Sequence, residues 1–287
     1  MIDRAGRLGR LLVGAALVAL AAGCGTGAGS PAPASSGGTP NAADRELTVY
    51  AAASLTDVLK AAALRFEAAH PGVRLVVSTD ASSALRAKIE QGAPADVFLS
   101  ADTKNAQALA DEQLASAPVA FARNLLTIVV PVANPAAITS PADLARPGVR
   151  IVAAGPAVPI TRYADEVVAR LAALPGYPTG FAAAVARNVV SQEDNVRAVL
   201  AKVELGEADA AIVYVTDARS SSKVGTIALP AVANVPATYA GDVVSTSSHP
   251  ADARAFLDWL AGPDGQAVLA GFGFQPPGAH AAASAAP

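Results

Sequence analysis

The stretch that decides the fold is Leu47-Thr-Val-Tyr-Ala-Ala-Ala-Ser-Leu-Thr56. Residues 47–53 are mostly apolar or β-branched, which is typical of a short buried strand. From Ser54 onward apolar side chains recur at helical spacing, at positions 55, 58, 59, 62, 64 and 66. The pattern therefore predicts a strand that passes directly into a helix, which is the repeating unit of α/β proteins.

The same alternation continues along the first half of the chain. His70-Pro-Gly72 ends the first helix, and the following predicted elements are a strand at 73–78, a helix from Ser82 to Gly92, a strand at 96–100 and a helix at 103–113. Strand–helix alternation of this kind predicts parallel sheets that are covered by helices on both faces.

The apolar run 125–130 is interpreted as a first crossing into a second lobe. Further predicted elements are strands at 149–153, 188–191 and 210–215, helices after Pro159 and from Val196, a returning strand at 239–245, and closing helices at 251–260 and 263–270. The expected fold class is thus α/β, with two lobes that each hold a central sheet and are joined by two crossover strands. Lobe I is predicted to span residues 46–124 and 238–275, and lobe II residues 125–237.

Composition excludes several classes of protein. The 287 residues carry a net charge of −3, with one cysteine and three histidines. The near-neutral balance argues against nucleic-acid binding, which needs clustered Lys and Arg. One cysteine excludes an internal disulfide framework and a thiolate zinc site, and three scattered histidines do not suit a metal centre.

The N-terminus resembles a bacterial lipoprotein signal. Residues 1–23 combine three arginines with an apolar run that is too short to span a bilayer, and they are predicted to be a signal peptide. Leu20-Ala-Ala-Gly-Cys24 resembles a lipobox, so lipidation of Cys24 is expected; the alternative is an ordinary secretory signal with a chance cysteine. Residues 24–45 are expected to form a flexible tether and residues 276–287 a disordered tail. The expected location is the outer side of the cell membrane, held by a lipid anchor.

Four segments place small or polar residues where a strand ends and a helix starts. They lie around Ser54, around Ser82, at 158–161 and at 194–196. The start of a helix exposes unpaired backbone N–H groups and the positive end of the helix dipole, so each segment is a potential anion seat. The alternative for the two serines is that they only cap their own helices.

The order of these segments resembles a known family. Ala51-Ala-Ala-Ser-Leu-Thr56, Ala81-Ser-Ser-Ala-Leu-Arg86, Gly92-Ala-Pro-Ala-Asp-Val-Phe98, Ser100-Ala-Asp102, Val158-Pro-Ile-Thr-Arg-Tyr-Ala164, Glu193-Asp-Asn-Val-Arg197, Ile212-Val-Tyr214 and Gly-Phe-Gly-Phe at 271–274 together resemble the periplasmic molybdate-binding protein of ABC transporters. The resemblance covers about residues 46–275.

The resemblance implies a type II periplasmic-binding-protein fold and a solute-binding function rather than an enzyme. It places the oxyanion ligands on the hydroxyls of Ser54, Ser82 and Tyr214 and on the backbone amides of Ile160 and Val196. It also implies molybdate, with tungstate, as the ligand, no cofactor and no direct metal ligand, a permease with its ATPase as partners, and a monomer.

Two residues depart from what the resemblance leads us to expect. Thr161 stands where the family often has glycine, which is a departure at the local turn. Asp80 precedes Ser82 by two residues and would repel a dianion if it faced the pocket, so it is expected to point outward.

Donors without charge select ligands by their protonation. Molybdate is fully deprotonated near neutral pH, whereas hydrogen phosphate carries a proton that such a pocket leaves unpaired. Sulfate has the same charge and shape and differs in size, so a sulfate- or phosphate-binding protein of the same fold stays open as an alternative. Other possibilities are a ferric-iron binder, a sensor or adhesion lipoprotein, and a serine hydrolase, although neither serine lies in a Gly-x-Ser-x-Gly motif.

Overall fold

The computed structural model describes residues 45–278. The predicted signal peptide, the lipidation of Cys24, nearly all of the predicted tether and the tail beyond Gly278 lie outside these residues. Within residues 45–278, none of the helices has the length and hydropathy that a membrane span requires.

The described chain alternates strands and helices. The strands are β1 (Arg45–Ala52), β2 (Val73–Asp80), β3 (Val97–Ser100), β4 (Val119–Asn124), β5 (Leu126–Pro131), β6 (Ile151–Ala154), β7 (Val189–Glu193), β8 (Ala211–Tyr214), β9 (Val224–Ile227) and β10 (Ala237–Val243). The helices are α1 (Thr56–Ala69), α2 (Ser82–Glu90), α3 (Thr103–Asp111), α4 (Pro159–Ala172), α5 (Phe181–Arg187), α6 (Val196–Glu204), α7 (Val215–Arg219), α8 (Pro250–Ala261) and α9 (Pro263–Gly271).

The strands of the described residues form three sheets. One sheet has the order β2-β1-β3-β10-β4, a second has the order β8-β5-β9, and a third pairs β6 with β7. The first sheet draws on residues 45–124 and 237–243, and the other two draw on residues 126–227. The molecule is therefore α/β with two lobes, although the predicted residue limits of the lobes stay a prediction.

The prediction of parallel sheets is correct only in part. β1 pairs in parallel with β2 and β3, and β6 pairs in parallel with β7. By contrast, β10 is antiparallel to both β3 and β4, and β5 is antiparallel to β8 and β9. The reason is topological: β10 returns from the second lobe instead of following a crossover helix, so nothing forces it into the parallel direction.

The two lobes meet where β4 runs into β5 and where the chain returns to β10. Close packing anchors the returning strand, since a Cβ atom built on Gly241 would lie only 2.6 Å from a side-chain carbon of Leu99 and 2.8 Å from one of Leu257. Glycine at this position lets the strand approach α8 without a gap. Residues from helix starts of both lobes line one pocket.

Candidate anion-binding site

A small pocket, with a cavity volume of about 10 Å³, lies between the two lobes. Its lining consists of small, aliphatic or neutral polar residues and contains no charged side chain: Ala52, Ala53, Ser54, Ala81, Ser82, Ala101, Val158, Pro159, Ile160, Asn195, Val196 and Tyr214. All five residues predicted to hold an oxyanion are in this lining. This volume is far below the roughly 300–1,000 Å³ of sites for drug-sized molecules, so the pocket excludes ligands of that size.

Neither predicted serine caps its own helix. α2 begins at Ser82 itself, after Ala81, and that helix start has no side-chain cap. Ser54 lies inside a 3₁₀ turn (Ala53–Leu55), and α1 begins two residues later, at Thr56. The interpretation of the two serines as simple helix caps is therefore wrong, whereas the predicted helical stretch from Ser54 agrees within one residue with the 3₁₀ turn and helix that together span residues 53–69.

Both serine hydroxyls are fixed by neighbours in lobe I. The backbone N–H of Ala101 donates to Ser82 Oγ over 3.0 Å, which leaves the hydroxyl hydrogen of Ser82 free to donate. Ser54 Oγ lies 2.8 Å from Tyr239 Oη, and either oxygen can be the donor in that bond. When Tyr239 donates, Ser54 keeps its own hydrogen for the pocket.

Lobe II supplies two backbone amides at helix starts. Ile160 is the second residue of α4 and Val196 the first of α6, positions at which an α-helix offers no carbonyl four residues earlier. The neighbouring amides are already used, since those of Arg197 and Ala198 both donate to Asn195 Oδ1 over 3.1 Å. The Val196 amide is thus left to point outward at the positive end of the helix dipole.

Tyr214 supplies a buried hydroxyl with no partner in the described structure. The residue is 1% exposed, and its Oη makes no hydrogen bond within residues 45–278. Burial raises the pKa of Tyr214 well above its usual value of 10, so the hydroxyl keeps its proton. A buried unsatisfied hydroxyl costs about 1–3 kcal/mol, which a ligand in the pocket would recover.

A network behind the pocket was missed by sequence reasoning. The Nδ2 group of Asn124 donates to Thr216 Oγ1 over 2.8 Å and lies 3.5 Å from Tyr239 Oη. The Tyr239 ring packs edge-on against the rings of Tyr214 and Phe274, at centroid distances of 5.7 and 5.4 Å. No local signal could have found this network, because Ser54 and Tyr239 are 185 residues apart.

Neither of the two residues that depart from the family pattern is part of the pocket lining. Thr161 Oγ1 donates to the carbonyl oxygens of Ala154 and Gly155 over 3.0 and 2.8 Å, so it ties the start of α4 to the end of β6. Asp80 is absent from the lining. Its Oδ1 accepts from the Ala81 amide over 2.8 Å and its Oδ2 lies 3.4 Å from Lys88 Nζ.

A buried ion pair lies beside the pocket. Asp217 on α7 is fully buried, and its Oδ1 is 2.9 Å from the Nε atom of Arg197, with angles that do not suit a hydrogen bond. Burial raises the pKa of Asp217 to about 7, against the lowering effect of the nearby guanidinium.

Within residues 45–278 no three His, Cys, Asp or Glu side chains cluster so as to hold a metal ion.

Comparison with known proteins agrees with this geometry. Residues 47–275 match the family model described as bacterial extracellular solute-binding protein. The chain belongs to this family. It is accordingly a solute-binding protein and not an enzyme, and its place of action is outside the cytoplasm.

Individual relatives are similar over most of the chain. The chain is 38% identical to the molybdate-binding protein ModA of Mycobacterium tuberculosis, over 93% of this chain and 97% of that protein. It is 34% identical to ModA of Haemophilus influenzae, over 81% and 91% of the two chains. The substrate-binding domain of a putative molybdenum ABC transporter from Clostridium difficile superposes with a TM-score of 0.60 at 28% identity, covering 80% of this chain and 98% of that one. The fold is that of type II periplasmic binding proteins.

Proposed function

We propose that this protein captures molybdate, and with it tungstate, between its two lobes and delivers the ion to an ABC permease. The observation that carries the proposal is the convergence, in one uncharged pocket, of the hydroxyls of Ser54, Ser82 and Tyr214 and the amides of Ile160 and Val196. The sequence identity to proteins named as molybdate-binding supports the choice of ligand.

The chemistry of the donor set favours a fully deprotonated dianion. Hydroxyl and amide dipoles that the fold holds in place can replace the hydration shell of such an ion without a compensating cation. A protonated oxyanion such as hydrogen phosphate needs an acceptor as well, and leaving its proton unpaired costs about 1–3 kcal/mol. The donor set thus disfavours phosphate by chemistry, whereas discrimination against the smaller sulfate depends on how closely the donors surround the ion.

The N-terminal sequence supports a membrane-anchored version of this function. We propose that residues 1–23 are removed, that Cys24 carries the lipid, and that residues 24–45 tether the folded body near the permease and its ATPase. A monomer suffices for the proposal, because both halves of the pocket come from one chain. Metabolic labelling with a radioactive fatty acid, compared between the wild type and Cys24→Ser, tests the anchor.

The proposed ligand is tested by calorimetric titration with molybdate, tungstate, sulfate and phosphate. Saturable heat is expected for molybdate and tungstate, a much weaker response for sulfate and none for phosphate. A wild-type protein that gives no heat with molybdate contradicts the proposal, and tighter binding of sulfate than of molybdate assigns the pocket to sulfate instead.

Replacement of Ser82 by alanine tests the donor set. Ser82→Ala is expected to weaken molybdate binding by about one to two orders of magnitude, because a hydrogen bond to a charged group contributes about 1.5–3 kcal/mol. The matched control is Ser83→Ala, since Ser83 is the next residue of α2 and is not part of the pocket lining. Equal affinities of the two variants in the same titration would remove Ser82 from the ligand set.

A further inference from the structure

The N-terminus of α6 contacts lobe I on both of its sides. On one side Asn195, which caps the helix, places its Nδ2 group 3.4 Å from Asp80 Oδ1. On the other side Arg197 places Nη2 2.8 Å from Oδ2 of Asp57 in α1. The Val196 amide, one of the proposed oxyanion donors, lies between these two contacts in the chain.

Arg197 is held firmly within its own lobe. Its Nε lies 2.9 Å from the buried carboxylate of Asp217, and its Nη1 donates to Ser220 Oγ over 2.8 Å. These contacts fix the direction of the guanidinium before it reaches lobe I. Of these three contacts of Arg197, the one with Asp57 crosses from lobe II to lobe I.

We propose that Arg197 is a positioning residue that joins lobe II to Asp57 of lobe I when the lobes close, and so holds the Val196 amide against the bound oxyanion. This inference rests on the proposed function for its ligand. An ion pair that joins the two lobes favours the closed arrangement, so it shifts the population toward that arrangement and raises the apparent affinity by up to the factor of that shift.

The direction in which one substitution changes the affinity for the anion separates this role from a simple charge effect. Asp57 is a negative charge close to a pocket for a dianion, so charge alone predicts that Asp57→Asn tightens anion binding. If the ion pair closes the lobes, the same substitution weakens binding, by about two- to fivefold for a pair that is partly exposed. Asp57→Asn is also safer than a change at Arg197, which would leave Asp217 buried without its partner.

The experiment combines affinity with a distance between the lobes. Molybdate titration compares the wild type, Asp57→Asn, the conservative variant Asp57→Glu and a control, Asp252→Asn. The control removes the partner of Arg45, 2.7 Å away, within lobe I. Weaker binding is expected for Asp57→Asn, partial recovery for Asp57→Glu and wild-type affinity for the control.

The distance is measured between spin labels at Leu64→Cys and Leu205→Cys in the full chain with Cys24→Ser. Both leucines are exposed, one on α1 and the other at the end of α6. Asp57→Asn is expected to enrich the longer distances, with and without molybdate, whereas Asp252→Asn is not.

Unchanged or tighter molybdate binding together with a wild-type distance distribution in Asp57→Asn would overturn the role of Arg197, as would equal changes in both Asn variants. Absence of molybdate binding by the wild type would refute the proposed function instead. In that case the distance distributions alone decide the role of Arg197.

Discussion

At the scale of single residues, the Tyr214 hydroxyl is the group that most needs a ligand. It is buried, protonated and without a partner among residues 45–278, whereas the hydroxyl of Tyr239 next to it is bonded to Ser54. Folding therefore leaves this hydroxyl unpaired, on a residue that lines the pocket. This arrangement lowers the stability of the empty protein and adds to the affinity for an anion that accepts the bond.

Replacing Tyr214 by phenylalanine separates these two effects. Tyr214→Phe is expected to weaken molybdate binding about tenfold or more, while the free energy of unfolding of the empty protein stays the same or rises slightly. Calorimetric titration and chemical denaturation measure the two quantities. Tyr177→Phe, which removes a hydroxyl outside the pocket, serves as the control. Molybdate binding by Tyr214→Phe as tight as that of the control would show that the hydroxyl does not contact the ion.

The five residues that the resemblance marks as oxyanion ligands all lie in the pocket lining, whereas the residues behind the pocket were not predicted. Short motifs such as those around Ser82 and Val196 place a donor at a helix start, which is a local property that a sequence carries. Asn124 and Tyr239 act across long separations, so nothing in their own surroundings marks them. Local sequence motifs thus indicate the proposed donors, whereas the residues behind the pocket are brought together only by the fold.

At the scale of elements, α6 contributes to the pocket through its cap and its first residue. Asn195 accepts bonds from two backbone amides of that turn, and this leaves the Val196 amide as the free donor. A cap of this kind stabilises a helix by about 0.5–2 kcal/mol. Loss of this cap should therefore lower both the free energy of unfolding and the affinity for the ligand.

Removal of this cap is expected to make the Val196 amide less fixed in position. Asn195→Ala should lower the free energy of unfolding by about 1 kcal/mol and weaken molybdate binding, because the first turn of α6 frays. Asn195→Ser keeps a capping oxygen and should leave both quantities within a few tenths of a kcal/mol of the wild type. Chemical denaturation and calorimetry measure them. Wild-type binding by Asn195→Ala would show that the amide is held without the cap.

Elements were predictable where they are long and strongly patterned. Helices such as α1 and α8 fall close to the predicted segments, but β4, β9, α5 and α7 were not predicted at all. Two of these, α5 (FAAAVAR) and α7 (VTDAR), are short, and an alanine-rich sequence gives little periodic contrast between faces. The antiparallel direction of β10 depends on partners far away in the chain, and a local pattern does not contain that information.

At the scale of the whole molecule, Asp242 links stability to pH. Its side chain is fully buried on β10, and neither carboxyl oxygen has a hydrogen-bond partner in the described part of the chain. Burial raises the pKa of Asp242 to about 8, so the folded protein keeps a proton that the unfolded chain releases near pH 4. The free energy of unfolding therefore falls as pH rises from about 4 to 8, by at most about 1.4 kcal/mol per pH unit from this group.

Replacement of Asp242 by asparagine should remove its part of this pH dependence and leave the part that comes from Asp217, whose pKa burial also raises. Asp242→Asn is expected to match the wild type in stability near pH 5 and to exceed it by about 1–3 kcal/mol at pH 8, because the amide has no charge to bury. Urea denaturation across this pH range gives the comparison, with the surface variant Asp252→Asn as control. A stability difference that stays constant with pH would mean that Asp242 is already ionised in the folded protein.

Two of the five proposed donors are backbone amides, and this affects how the protein can diverge. Every amino acid except proline carries an N–H, so positions 160 and 196 can accept many side chains over evolutionary time while the contact persists. Drift at these positions is then constrained by packing alone. A change of ligand during evolution would have to act through the three hydroxyl-bearing positions, because there the side chain itself contacts the ion.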